Sequence, residues 1–202
     1  MKFYNLKPGM NPRRARIFMA EKGIEVPMVE VDMMKGENRA PAYLAINSLG
    51  TMPSLELDDG TVITESVAIC RYFEEIHPEP PMFGRDTVER AKVEMWNRRM
   101  ELELLNPIGT AFMQLDPFWK DRLPQVAEYG EISRAKGLKR MAWLDTHLAG
   151  REFVATNDYT VADITAQCAI LLGQHTGTPI PEGLDNLTRW WESVSARPSA
   201  RA

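Results

Sequence analysis

Short β-prone runs alternate with one helical pattern at the beginning of the chain. A strand is expected from Phe3, and a second β-prone run spans residues 26–31. Between them, Asn11 followed by Pro12 is typical of a helix start, with Asn as N-cap and Pro at the first helical position. Gly23 is typical of a helix end. The pattern therefore predicts a βαβ unit with two parallel strands.

A hairpin and a second long helix follow. Two β-prone runs, with Leu55 and Leu57 in the first and Val62 and Thr64 in the second, flank Asp58-Asp59-Gly60, and Asp-Gly between such runs is a hairpin signal. A short helix is expected over residues 41–46, and a longer one over residues 66–76, where apolar residues recur at helical spacing. The order βαβ–α–ββα is that of a thioredoxin-like domain.

The rest of the chain carries only helical patterns. Residues 77–84 are proline-rich and are typical of an interdomain linker. Beyond them, apolar periodicity predicts four helices, over residues 88–115 (bent by Pro107 and Gly109), 132–148, 162–172 and 187–194. The predicted fold class is α/β plus all-α: a thioredoxin-like N-terminal domain over 1–77, a linker over 78–86 and a C-terminal α-helical bundle domain over 87–202.

Composition excludes a few function classes. Of the 202 residues 44% are hydrophobic and 26% are charged, as in an ordinary globular protein. The net charge of −4, without any long basic run, argues against nucleic acid as a partner. No apolar stretch approaches the ~18 residues of a membrane span, and the N-terminus does not resemble a signal peptide. Cys70 and Cys168 lie in apolar helical patterns, so we expect two buried core thiols and a reducing, cytoplasmic location.

The segment from Gly50 to Ser66 bears most directly on a ligand. Glu65-Ser66 stands at a helix start, where a carboxylate, a hydroxyl and free N–H groups can hold an amino-acid zwitterion. A cis bond between Met52 and Pro53 would expose the N–H and C=O of Met52 to an extended peptide, which would be held like an added strand. The segment therefore predicts a small peptide ligand with a free α-amino acid end.

These motifs resemble those of the cytosolic glutathione S-transferase family, particularly its bacterial and theta-like members, over essentially the whole chain. The resemblance rests on Met52-Pro53, Glu65-Ser66, the opening strand and helix (residues 2–4, 13–17 and 20–24) and Thr160-Val161-Ala162-Asp163. It implies that Met52 and Pro53 bind the cysteinyl backbone of glutathione, and that Glu65 and Ser66 bind its γ-glutamyl group. It also implies that Asn38 contacts the glycyl carboxylate; the alternative is a solvated loop residue.

The resemblance further implies a glutathione transferase that acts in detoxification. Such a protein conjugates the thiolate of glutathione, its co-substrate, to an apolar small-molecule electrophile, needs no metal and forms a homodimer. The helical domain would hold the electrophile. Candidates to line that pocket are Trp96, Arg99, Phe112, Phe118 and Trp119. The alternative is that these side chains belong to the core, as aromatic residues at helical spacing more often do.

Thr160 and Asp163 invite an interpretation as a catalytic acid site. Their spacing is also that of a capping box, with Thr160 as N-cap and with Tyr159 and Ile164 placed as a hydrophobic staple. Because the cap accounts for both residues and for their spacing, we expect the structural role.

The group that stabilises the thiolate is less evident. Lowering a thiol pKa of ~8.5 by two units takes about 3 kcal/mol, of which one donor to the ionised group supplies about 1.5–3 kcal/mol. Members of the family usually carry Tyr, Ser or Cys after the first strand, but residues 5–12 here contain none of them. Asn11 is the catalytic candidate, because a side-chain oxygen that caps the helix leaves the NH₂ free for sulfur. A backbone N–H or an ordered water are the alternatives, and Tyr4 is a remote one.

Three functions therefore remain open. The first is a glutathione transferase. The second is a non-catalytic relative that binds glutathione or a protein partner, favoured by the missing Ser, Cys or Tyr. The third, a glutathione-dependent disulfide reductase, is disfavoured by the absence of a cysteine near the first helix.

Overall fold

A computed structural model describes all 202 residues and divides the chain into two compact units. The first unit contains Met1–Pro81 together with Arg201–Ala202, and the second contains Met82–Ala200. The change of unit falls inside the proline-rich segment. The domain limits drawn from the sequence, 1–77 and 87–202, stay a prediction.

The first unit is a four-stranded mixed sheet with three α-helices. Its elements are β1 (Lys2–Asn5), α1 (Met10–Glu21), β2 (Met28–Glu30), α2 (Pro41–Leu44), β3 (Ser54–Glu56), β4 (Val62–Thr64) and α3 (Ser66–Ile76), with 3₁₀ turns at Met33–Lys35 and Glu37–Arg39. The strand order is β2-β1-β3-β4, in which β1 and β2 are parallel and the other two pairs are antiparallel. The predicted thioredoxin-like fold is confirmed.

The core of the first unit packs α1 and α3 against the sheet. Phe3 and Leu55 from the sheet are fully buried, as are Phe18 of α1 and Ile69 of α3. Burying a side chain of this size contributes about 1.5–3 kcal/mol. The two helices that follow β1 and β4 are thereby held firmly against the sheet.

The start of α1 differs from the prediction. The helix begins at Met10 with Gly9 as N-cap, and no side chain caps it, so the predicted N-cap role of Asn11 is wrong. Pro12 is buried within the first turn, where its missing N–H costs no helical hydrogen bond. The turn Leu6–Gly9, closed by a 2.9 Å hydrogen bond from Gly9 N to Leu6 O, brings the chain into the helix two residues earlier than the cap signal indicated.

A buried ammonium group fixes the end of the first unit. The Lys22 side chain is fully buried, and Nζ lies 2.7 Å from a carboxylate oxygen of Glu74. Nζ also donates to the carbonyl oxygens of His77 (2.6 Å) and Pro80 (2.7 Å). All three donors of the ammonium group are therefore used, and they tie the chain that leaves α3 to the end of α1.

The second unit contains helices and no strand, as predicted. Its elements are α4 (Thr87–Arg99), a π-helical segment (Met100–Leu105), α5 (Asn106–Leu115), a 3₁₀ turn (Pro117–Trp119), α6 (Ala127–His147), α7 (Val161–His175) and α8 (Asp185–Ser195). After α8, a 3₁₀ turn at Pro198–Arg201 includes the last residue of this unit, Ala200, and the first of the two C-terminal residues that belong to the first unit. None of the helices combines the length and apolar character needed to cross a bilayer.

Helix α4, the π-helical segment and α5 form one continuous helical run. Arg99, Met100, Leu105 and Asn106 all keep right-handed helical dihedrals. Pro107 has no N–H, and its ring would clash with the carbonyl one turn earlier, so the wider π turn accommodates it.

The start of α6 was also predicted incorrectly. The helix begins at Ala127, and Ile132, the expected first apolar residue, is 61% exposed. Its buried face is built largely from small residues instead. A Cβ added at Gly130 would lie 2.6 Å from Leu115, and one at Gly137 would lie 3.0 Å from Ile108. Glycines that pack closely against α5 produce no periodic pattern of apolar residues in the sequence. The first turns of α6 were therefore not predicted.

The predicted capping box is present at the start of α7. Thr160 N donates to Asp163 Oδ2 at 3.0 Å, and the side chain of Thr160 accepts from the N3 backbone. Asp163 is fully buried, and Oδ1 also accepts from Val154 N (2.8 Å) and Trp190 Nε1 (3.1 Å). Burial raises the pKa of Asp163 to about 6, although these hydrogen bonds oppose the change.

Candidate functional site

Two helix N-termini and the start of one strand meet at one edge of the sheet in the first unit. Tyr4, Ser54 and Thr64 lie in one row across β1, β3 and β4. Since β1 and β4 both run antiparallel to β3, one step further along this edge leads to Pro53 before β3 and to Glu65 after β4. Helix α1 follows β1 and α3 follows β4, so both helices start from this edge.

The loop that leads into β3 is held by polar side chains. The Met52–Pro53 bond is cis, as predicted. The Tyr43 hydroxyl donates to Thr51 O at 2.7 Å, and Asn47 Nδ2 donates to the same oxygen at 2.8 Å. The N–H and C=O of Met52 make no hydrogen bond within the chain. They are therefore available to the backbone of a peptide ligand.

Asn38 supports the same loop and is not the solvated loop residue of the alternative interpretation. It is 7% exposed, and Nδ2 donates to Gly50 O at 2.9 Å. Gly50 has a φ of 63°, and a Cβ there would lie 2.6 Å from Asn38 O, so this close approach requires glycine. Asn38 thus fixes the turn before Met52. Its predicted contact with the glycyl carboxylate stays a prediction.

Glu65 and Ser66 form the uncapped start of α3. Glu65 is exposed and is the N-cap residue, yet it makes no side-chain cap hydrogen bond. It is also the one non-glycine residue in the chain with a positive φ, at 66°. Ser66, the first helical residue, is 5% exposed. The free N–H groups of this first turn, together with the carboxylate and hydroxyl, are the groups that a zwitterion requires.

Asn11 lies in the first turn of α1 and is exposed. Because Gly9 is the N-cap, the Asn11 amide is not used for capping. The N-terminus of α1 carries a partial positive charge that no acidic side chain in the first turn offsets. The structure therefore offers two sources of thiolate stabilisation here, the Asn11 side chain and the helix N-terminus.

Tyr4 is unsuited to stabilise a thiolate. Its hydroxyl donates to Glu56 Oε2 at 2.6 Å. This hydrogen bond, with some burial, raises the pKa of Tyr4 to about 12. The Tyr4 hydroxyl proton is therefore used in the hydrogen bond to Glu56 of β3, and it is not free for a thiolate.

A cavity of about 800 Å³ lies elsewhere in the first unit. It opens beside α1 and β2, and its lining includes Arg16, Met19 and Glu30 but none of the six predicted site residues. Its walls mix both charge signs with apolar groups. The chemistry of the helix N-termini therefore indicates the ligand site better than cavity size does.

Comparison with known proteins decides the family. The family model for the glutathione S-transferase N-terminal domain matches residues 10–76, and that for the C-terminal domain matches residues 105–198. Glutathione S-transferase 2 of Saccharomyces cerevisiae is 36% identical over 205 residues, covering 100% of this chain and 88% of that protein.

The chain belongs to the glutathione S-transferase family.

Solved structures agree with this family assignment. The crystal structure of Gtt2 from Saccharomyces cerevisiae superposes with a TM-score of 0.94 at 36% identity, covering 100% of this chain and 99% of that one. A glutathione S-transferase domain-containing protein from Marinobacter aquaeolei gives 0.92 at 38% identity, covering 98% and 99%. Elongation factor 1-gamma 2 of rice is 31% identical over 166 residues, which are 81% of this chain but only 38% of that protein.

Within this family assignment, the structure brings Met52, Pro53, Glu65 and Ser66 to one edge of the sheet, with the start of α1 beside them. Sequence reasoning missed the side chains that hold the Met52 loop. Tyr43 and Asn47 stand four residues apart on and just after α2, and their spacing before the Gly50 turn was the available signal.

Proposed function

We propose that this protein conjugates the thiolate of glutathione to apolar electrophiles. The proposal rests chiefly on one observation: the free backbone groups of Met52 and the uncapped start of α3 lie at the same sheet edge from which α1 begins. A γ-glutamyl tripeptide needs these groups, because its cysteinyl backbone requires a backbone N–H and C=O as partners and its γ-glutamyl end carries an α-ammonium and an α-carboxylate.

Glutathione is expected to lie across this edge. Glu65 binds the α-ammonium of the γ-glutamyl residue, and Ser66 with the first-turn N–H groups of α3 binds its carboxylate. Met52 pairs through its N–H and C=O with the cysteinyl backbone, as in β-augmentation. The cysteinyl sulfur then points toward the start of α1, and Asn38 is proposed to contact the glycyl end.

The thiolate is proposed to be stabilised at the N-terminus of α1. A hydrogen bond from the Asn11 amide contributes about 1.5–3 kcal/mol, and the helix N-terminus about 0.3–1 kcal/mol. Together they approach the ~3 kcal/mol that a two-unit decrease in the thiol pKa requires.

The electrophile is proposed to bind an aromatic cluster in the helical unit. Phe112 lies 6.4 Å from Phe118 and 5.7 Å from Trp119, measured between ring centroids, and all three are partly exposed. Trp96 is excluded from this role, because it is 8% exposed and stacks on His147 at 3.8 Å. The preferred electrophile would be apolar and aromatic.

A homodimer is part of the proposal. Val88 and Met95, two helical turns apart on α4, are 61% and 40% exposed and lie on one helix face, which favours association with a second copy. Light scattering coupled to size exclusion is expected to give twice the 22.9 kDa chain mass. A mass of one chain at micromolar concentration would rule the dimer out.

The second candidate is a non-catalytic binding protein. The absence of Tyr, Ser and Cys from residues 5–12, directly after β1, favours it. A disulfide reductase is disfavoured, because both cysteines are buried core residues without a disulfide bond.

One pair of measurements separates the three. Conjugation of an aryl halide is followed by absorbance while glutathione binding is measured by calorimetry, with a disulfide reduction assay in parallel. Turnover that is lost in Ser66→Ala supports the transferase. Binding without turnover supports the second candidate, and reduction of disulfides without conjugation supports the third.

A further inference from the structure

A polar network that is buried at Arg16 and Asn5 and exposed at Glu30 joins α1, β1 and β2 away from the proposed substrate contacts. Arg16 of α1 is 5% exposed and Asn5 at the end of β1 is 2% exposed. Arg16 Nη1 donates to Asn5 Oδ1 at 2.6 Å, and Asn5 Nδ2 donates to Glu30 Oε1 on β2. The Asn5 amide is thus held between a guanidinium at its oxygen and a carboxylate at its nitrogen, which fixes its orientation.

The same two charged side chains also hold the loop that connects β1 to α1. Arg16 Nη2 donates to the carbonyl oxygen of Lys7 at 2.9 Å. Lys7 N donates to Glu30 Oε2 at 3.3 Å. Lys7 is therefore fixed at its N–H by one strand and at its C=O by the helix that follows it.

The remainder of this loop has little freedom. Gly9 closes a turn onto Leu6 O, and a Cβ at Gly9 would lie 3.1 Å from that oxygen and 3.1 Å from Pro12 Cδ. The position of the first turn of α1 is consequently set by the loop from Asn5 to Gly9, and the loop is set by Arg16 and Glu30.

We propose that Arg16 and Glu30 are positioning residues for thiolate stabilisation: they hold the loop that places the first turn of α1, and with it Asn11, against the sulfur of glutathione. The inference rests on the proposed function. Neither residue is assigned a contact with the substrate, and both act through Lys7 and Asn5.

The direction of the change in the pKa of the bound thiol distinguishes a positioning role of Glu30 from a direct effect of its charge. Removing the negative charge of Glu30 by Glu30→Gln weakens repulsion of a thiolate through space, which alone would lower the pKa of the bound thiol. Loss of positioning moves the donor away from sulfur and raises that pKa. Glu25→Gln is the matched control, because Glu25 is exposed, lines the same cavity and makes no contact with the network.

The test is a titration of bound glutathione by thiolate absorbance in the wild type, Glu30→Gln, Arg16→Lys and Glu25→Gln. Glutathione affinity is measured by calorimetry, and the melting temperature by circular dichroism. We expect Glu30→Gln and Arg16→Lys to raise the thiol pKa by about half a unit or more, a roughly three-fold loss of thiolate below that pKa. Affinity should change less than about two-fold, since α3 and Met52 supply the tripeptide contacts, and Glu25→Gln should match the wild type.

An unchanged or lowered pKa in Glu30→Gln overturns the inference, even if its melting temperature falls, because the network would then be structural only. If the wild type binds glutathione without lowering its thiol pKa, or does not bind it, the proposed function fails together with the inference. If the wild type lowers the pKa and Glu30→Gln retains that effect, only the inference fails.

Discussion

Glu65 combines backbone strain with the proposed contact to the γ-glutamyl ammonium, and two substitutions separate these properties. Its φ of 66° and ψ of 120° are disfavoured for any residue with a Cβ, at a cost of about 1–3 kcal/mol. Glycine removes that cost but adds up to ~1 kcal/mol of unfolded-chain entropy. Glu65→Gly is thus expected to raise the free energy of unfolding by about 0–2 kcal/mol, or the melting temperature by ~2–4 °C per kcal/mol. Glu65→Ala keeps the strain and should stay within about 0.5 kcal/mol of the wild type.

Both variants lose the carboxylate, so both should bind glutathione about 1.5–3 kcal/mol more weakly, a roughly 10- to 100-fold increase in Kd. Urea unfolding gives the stability, and calorimetry gives the affinity. Backbone strain at Glu65 is refuted if Glu65→Gly is less stable than Glu65→Ala by more than about 0.5 kcal/mol. The proposed ammonium contact is refuted if either variant binds glutathione as tightly as the wild type.

Substitutions at three further places in the structure make separate predictions. Asn11→Asp should raise the pKa of the bound thiol, because a carboxylate repels the thiolate, while leaving α1 as stable or slightly more so; an unchanged pKa would assign the role to a backbone N–H or a water. Lys22→Met should lower the free energy of unfolding by about 3–5 kcal/mol, because it removes the buried ammonium group from beside the Glu74 carboxylate, and Lys22→Met with Glu74→Gln should recover part of that loss in urea denaturation. The pKa of Asp163 is about 6 in the folded state, which is above its unfolded value. Between about pH 4 and 6 the folded state therefore binds more protons than the unfolded state. The contribution of Asp163 to stability consequently falls by roughly 2–3 kcal/mol as the pH rises through that window. The stability of the wild type relative to Asp163→Asn should fall by that amount between pH 4 and 7, and a pH-independent difference would contradict the raised pKa.

The parts of the fold that could be predicted are those set by local sequence. Helix α3 begins at Ser66 and ends at Ile76 as predicted, because its apolar periodicity and the preceding Asp-Gly hairpin are contiguous signals. The start of α6 was not predicted, because Gly130 and Gly137 let α6 pack closely against α5 and contribute no apolar side chain to a periodic pattern. Asn11 was misplaced as N-cap because a tight turn, set by Gly9 and Leu6, started the helix early.

The site divides in the same way. The roles of Met52-Pro53 and of Glu65-Ser66 could be predicted, because each is a pair of adjacent residues whose types indicate the chemistry. The residues that hold neighbouring loops in place could not be predicted, because Asn38 bonds to Gly50 across 12 residues and Asn5 to Glu30 across 25. Contacts at that separation depend on the completed sheet. For the same reason, the buried amide of Asn38 could not be distinguished from a solvated loop residue.

The most direct test of the central claim is the pKa of glutathione bound to the wild-type protein. Thiolate absorbance is recorded against pH at saturating protein, with free glutathione measured in the same buffers. We expect a bound thiol pKa about two units below the ~8.5 of a free thiol, because the start of α1 is proposed to stabilise the thiolate by that amount. A bound thiol that titrates like free glutathione would contradict it.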